Sequence, residues 1–195
     1  NGNVSADTLD LTATTGEIDQ TGGALTVTTG PTNLTAATDI TLESATNDFN
    51  GVVNASGADV TVLDANTLTL GDITATGNLD ATADTDLVLN GNVSADTLDL
   101  TATSGEIDQT GGELSVTTGP SDLTAGTDIT LDSATNDFNG TVNANGANIT
   151  LIDANTLALG DITATSNLDA TADTDLVLNG NVSADTLDLT ATTGE

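Results

Sequence analysis

The side chains in this sequence that could do chemistry are almost all carboxylates. Thirty Asp and Glu residues stand against no Lys, Arg, His or Cys, which leaves oxygen ligation of a hard cation or carboxylate acid–base work. Acidic groups beside turn-forming residues are Asp48, between Asn47 and Asn50; Asp80 with Asp84 and Asp86; and Asp137, with Asn136 and Asp132. Oxygen-rich turns suit Ca2+, which takes roughly six to eight carboxylate and carbonyl ligands. Asp48, Asp80, Asp84, Asp86 and Asp137 are therefore the candidate metal ligands. Neither an EF-hand loop nor a GGxGxD nonapeptide occurs. The expectation is weak, distributed Ca2+ uptake against a plainer reading of solvated turn residues, with no cofactor required.

Other chemistries fit the residues less well. Paired carboxylates can cleave glycosides, but a pair here would be copied in every repeat, and two Phe are the aromatics on hand to hold a sugar. Lyase chemistry wants a base such as Lys or Arg, so no catalytic residue and no enzymatic activity are expected. Thr-x-Thr pairs such as Thr12/Thr14 and Thr67/Thr69 do not fall at one offset, which argues against an ice-binding ladder. Thr is also a good outward strand residue. The glycosylation sequons at Asn3, Asn33, Asn54 and Asn148 are what chance produces in a chain rich in Asn, Ser and Thr.

The elements that must position these groups follow from repetition. NGNVSADTLDLTAT opens at Asn1 and returns at Asn90 and Asn179, a period of 89 residues. The chain divides into repeat 1 (1–89), repeat 2 (90–178) and the start of a third (179–195), and reads as one continuous stack cut from a longer polymer. The two full copies differ at 15 positions. Val60/Ile149, Val62/Leu151 and Leu63/Ile152 exchange branched apolar residues and read as core. Ala24/Glu113, Asn33/Asp122, Ser56/Asn145 and Asp59/Asn148 exchange freely and read as surface. Phe49 and Phe138 hold the same place in both copies and are expected to fill the core.

Within a repeat, in–out–in triplets recur at Leu9, Leu25, Ile40, Val60, Leu79 and Leu98, the period of two of a half-buried strand. Their spacings of 16, 15, 20, 19 and 19 sum to 89 and predict five coils per repeat. Three short strands per long coil would enclose a narrow core, and the shorter coils would have two strands and a looser third side. Gly and Asn between the strands supply the turns. The fold class expected is all-β: a parallel β-helix, or β-solenoid, of right-handed sense. At the usual spacing of ~4.8 Å between paired strands, a five-coil repeat advances about 24 Å.

Charge sets the partners. A net charge of −30 without a single basic side chain excludes nucleic acid, whose phosphates need Lys or Arg. It makes the chain a polyanion that attracts divalent cations, which could bridge neighbouring fibres in lateral self-association. No apolar run approaches the ~20 residues of a membrane span. Disorder is disfavoured because 22 of the first 89 residues are Leu, Ile, Val or Phe, above the roughly one-fifth at which it becomes the default.

The string from residue 16 to 83, with its phrases IDQTGGALTV, DITLESATNDFNG and DANTLTLGDITATGNL, resembles the repeat regions of large filamentous haemagglutinin-like exoproteins. The copy from 105 to 172 does so equally. The resemblance implies a right-handed parallel β-helix exported through a dedicated partner pore and displayed on, or released from, a Gram-negative cell. It specifies no ligand, and the absence of basic residues departs from a typical member. The function expected is a structural shaft of an extracellular, adhesin-type fibre whose partners are neighbouring repeats. The alternative is a repeated acidic module that captures Ca2+ or a partner surface.

Overall fold

The computed structural model describes residues 2–194, so Asn1 and Glu195, the outer limits of the first and third repeat segments, lie outside the described residues. Strand pairings run parallel throughout, and the chain winds into a three-sided solenoid of about nine coils. Side A carries Val4–Ala6, Leu25–Val27 and Asp48–Phe49. Side B carries Leu9–Ala13, Thr32–Ala36, Val52–Gly57 and Leu68–Ala75. Side C runs from Ile18–Asp19 through Ile40–Leu42, Val60–Asp64, Asn78–Ala83, Thr97–Ala102, Ser121–Ala125 and Thr141–Gly146 to Leu157–Ala164. Among the described residues no helix is long and apolar enough to cross a membrane.

Alternation produces this architecture. In Val60–Asp64 the first, third and fifth side chains point inward and are buried, while Thr61 and Leu63 face out. Stacking such strands builds one continuous core of Leu, Ile, Val and Ala along the axis. Phe49 and Phe138 lie within it at 1% exposure, as their recurrence predicts. The coil formed by Leu25–Val27, Thr32–Ala36 and Ile40–Leu42 has a strand on every side, so the expected looser third side is absent from it.

The repeat is not five coils. Down side B, Leu9 pairs with Thr32, Thr32 with Val53, Val53 with Leu70 and Leu70 with Leu89, which takes four coils and 80 residues. Leu98, the copy of Leu9, lies nine residues further on and pairs with Leu79 on side C. The triplets at Leu9 and Leu25 sit on sides B and A, so the spacings of 16 and 15 were measured across corners. Those of 20, 19 and 19 run down side C and are true coils. At ~4.8 Å per coil the repeat advances about 21 Å, and equivalent residues of successive copies fall on different sides.

A local event causes the shift. Side A ends after Asp48–Phe49, and the next coil passes that point in a three-residue corner, 65–67. Side B meanwhile divides: Leu68–Ala75 pairs with Val52–Gly57 with a register shift between Leu70 and Ile73, and one coil later Leu87–Leu89 and Val93–Ala95 are separate strands on it. The second copy repeats this at Leu157–Ala164, now on side C. Each repeat thus loses one side and splits another. The corner opened by the first split stacks Gly112 on Gly91; Gly112 has φ 73° and a Cβ there would strike the Gly91 carbonyl, so no other residue fits.

Two inward hydroxyls break the apolar pattern. Thr32 Oγ1 and its counterpart Ser121 Oγ are fully enclosed without a hydrogen-bond partner. Thr32→Val keeps the shape and removes the buried hydroxyl, so it is expected to stabilise the chain by about 1 kcal/mol. A rise in the urea midpoint at unchanged slope is the measurement.

Candidate functional site

The structure distributes the five candidate aspartates differently from the sequence clusters. Asp48 is half-buried on the last strand of side A and accepts a hydrogen bond from Asn50 Nδ2 (2.8 Å). Asp84 and Asp86 occupy the corner after Asn78–Ala83, so some four residues of extended chain, on the order of 13 Å, part Asp80 from Asp84. Asp86 Oδ1 accepts the Glu106 N–H (3.2 Å). Asp137 is half-buried, with Oδ1 enclosed and unpartnered. Among the described residues no three acidic side chains converge in a way that could hold a metal ion.

Asp80 instead joins a column. It pairs in register with Asp99, and Asp99 with Asp122, along side C. Partial burial pushes the Asp80 carboxyl up, reinforced by Asp99 and Glu43; burial and then Asp122 push Asp99 up. In the first copy the counterparts of Asp99, Asp122 and Asn143 are Asp10, Asn33 and Asn54, where Asn33 Nδ2 donates to Asp10 Oδ1 (2.6 Å) and Asn54 Nδ2 to Asn33 Oδ1 (2.9 Å). The Asn33/Asp122 exchange is therefore outward-facing but not free, because it replaces the amide donor that Asn33 offers Asp10 with a second carboxylate beside Asp99. Asp59/Asn148 is likewise a rung: Asp59 Oδ1 accepts the Asn78 N–H (2.8 Å), and Asn148 Nδ2 donates to Asp128 Oδ1 (3.0 Å). Asp122→Asn should restore a donor to Asp99 and stabilise by about 0.5–1 kcal/mol, with Asn33→Asp costing as much. Chemical unfolding of both variants measures this.

The most constrained polar groups were not among the candidates. Gln20 Nε2 donates to Asn47 Oδ1, and Asn47 Nδ2 returns a bond to Gln20 Oε1, both at 2.8 Å. Asn47 Oδ1 also accepts the Leu25 N–H (2.9 Å). Gln109 and Asn136 repeat the arrangement, with Leu114 N–H at 3.0 Å. These amides fill the corner where side A closes in the first copy, and its counterpart in the second. One coil on, Asp64 Oδ2 accepts the Phe49 N–H (2.9 Å) and Oδ1 the Asn66 N–H (2.8 Å), in place of the next strand that side A lacks. Asp153 does the same for Phe138 and Asn155. Asp64 is 4% exposed; burial drives its pKa up to about 6, opposed by these two backbone bonds and aided by Asp48. Asp153 is raised mainly by burial. The alternation of Val60–Asp64 was the signal that would have turned Asp64 inward.

Closure of side A also shapes the surface. The five-residue corner 43–47 overhangs the three-residue corner 65–67 and leaves a groove of about 310 Å³ lined by Ala45, Leu63, Asp64, Ala65, Thr82 and Asp84, among others. An equivalent groove of about 320 Å³ recurs at Ala134, Ile152, Asp153, Ala154, Thr171 and Asp173. Leu63 and Ile152, expected in the core, are half-exposed groove walls, because the two-residue period sends them outward.

The sequence matches the family described as repeats of unknown function (DUF5649) over residues 1–56, 57–88 and 81–145. No curated protein and no solved structure matches it.

Proposed function

We propose, from the premise that this chain belongs to the family of repeats of unknown function (DUF5649) matched over most of its length, that it is a shaft segment of an extracellular, adhesin-type fibre. The observation that carries this reading is the unbroken parallel stack, in which each coil hydrogen-bonds to the next and a polar ladder from Asp10 through Asn33, Asn54 and Asp72 to Asn92 continues along side B. A repeat that builds axial length is suited to extension and stiffness. The chain lacks the Lys and Arg that trypsin-like proteases need. Thirty carboxylates over nine coils of ~4.8 Å give about 0.7 negative charges per Å, slightly above the ~0.6 of duplex DNA, which keeps shafts apart in low salt and lets divalent cations draw them together. The haemagglutinin-like phrases of residues 16–83 support display at a Gram-negative cell surface.

Cryo-electron microscopy of the native material tests the proposal. Filaments with a ~4.8 Å axial spacing and an 89-residue repeat of about 21 Å are expected, and isolated compact particles would overturn it. A second reading, an acidic module that takes up Ca2+, draws on the Asp80–Asp99–Asp122 column. Calorimetric titration separates the two: saturable uptake of an integral number of ions per repeat favours the module, and diffuse uptake that scales with ionic strength favours the shaft.

A further inference from the structure

We propose that the groove left where a side of the solenoid closes is a receptor for a primary ammonium on an unbranched aliphatic stem, as a lysine side chain of a partner polypeptide presents it. Three features converge. The groove occurs in both copies, with equivalent residues and closely similar volumes of about 310 and 320 Å³. Its size lies at the lower limit of small-molecule pockets, ample for one extended side chain. Its wall is apolar at Leu63, Ala45 and Ala65, while Asp64 and Asp84 supply negative charge. A stem laid on Leu63 would bring a cationic head to the exposed Asp84 carboxylate and within the field of the buried Asp64, whose oxygens already accept the Phe49 and Asn66 N–H groups, the way long basic side chains divide between apolar and charged surroundings.

The occupant must come from another protein, because this chain has no Lys or Arg. Burial makes the ionised form of Asp64 costly and pushes its carboxyl up to about 6, with Asp48 on the preceding coil adding repulsion; Asp84 faces the same groove from the next coil and Glu43 belongs to the overhanging corner. A docked cation would offset that cost, so binding and ionisation of Asp64 are linked. The grooves end strands on different sides of the solenoid, Val60–Asp64 on side C and Ile149–Asp153 on the continuation of side B, so each would engage its own partner residue.

The test is a two-dimensional NMR titration of the full chain with N-acetyl-lysine methylamide, with ammonium chloride as the stemless control. Saturable shifts at Ala45, Leu63 and Thr82 and at Ala134, Ile152 and Thr171 are expected, weakening as pH falls through about 6, the value to which Asp64 is raised. Leu63→Asn should weaken the first groove about fivefold, the equivalent of roughly 1 kcal/mol of lost apolar contact, and leave the second unchanged as an internal measure of folding. Shifts spread equally over the Asp80–Asp99–Asp122 column, equal shifts with ammonium chloride, or no effect of Leu63→Asn would each overturn the proposal in favour of diffuse attraction to a polyanion.

Discussion

Acidification from about pH 7.5 to about pH 4.5 is expected to raise the free energy of unfolding, the reverse of the usual acid response. Most proteins lose stability in acid because their folded state lowers carboxyl pKa values through ion pairs, and this chain has no basic side chain to pair with. Asp64 is raised from 3.8 to about 6, and Asp80, Asp99 and Asp153 are raised as well. Between the unfolded and folded values the folded state binds more protons than the unfolded chain, so stability falls as pH rises. The contribution of Asp64 is complete below 3.8 and is lost as pH climbs through about 6. Its shift alone sets an upper bound of about 3 kcal/mol. Relief of the general repulsion among thirty carboxylates acts in the same direction. Urea unfolding at several pH values, in dilute protein to avoid association as charge is lost, measures the slope. Added salt should stabilise strongly at neutral pH and weakly in acid. A monotonic loss of stability on acidification would mean that some carboxylates gain more from hydrogen bonds than burial takes from them.

The same physics decides what could be read from the sequence. Alternation and the 89-residue period were enough for strands, parallel stacking and the inward place of Phe49, since each depends on short-range spacing. Coil count was not, because a coil is a closed path and its length depends on where corners fall. Leu9, Leu25 and Ile40 look like successive rungs and lie on three different sides. The exchange test misread Leu63/Ile152 as core because a half-exposed groove wall also favours branched apolar residues. The polar corner was hidden for a related reason. Gln20 and Asn47 lie 27 residues apart and meet only because one turn of the solenoid brings their corners together, whereas Asp48, Asp84 and Asp86 drew attention through local density and face largely outward.

That hidden pair carries the largest mutational effect expected. Asn136→Leu should destabilise the chain by about 3–4 kcal/mol, from the cost of leaving several buried polar groups unpaired. Asn136 is wholly buried; its amide exchanges two 2.8 Å bonds with Gln109 and accepts the Leu114 N–H. Leucine is close in size but satisfies none of these, so the Gln109 carboxamide loses its reciprocal partner and the Leu114 amide is stranded at a strand entry. The Gln109→Leu, Asn136→Leu double variant removes both halves of the amide pair and should recover at least about 1 kcal/mol relative to the sum of the single changes. Leu114 N–H remains unpaired in the double variant, which caps the recovery. Because coils contact mainly their neighbours, the loss should first appear locally. Hydrogen exchange at Leu114 and Phe138 is expected to accelerate well before that at Leu34 or Ile40, and uniform acceleration along the stack would show instead that the solenoid unfolds as one cooperative unit.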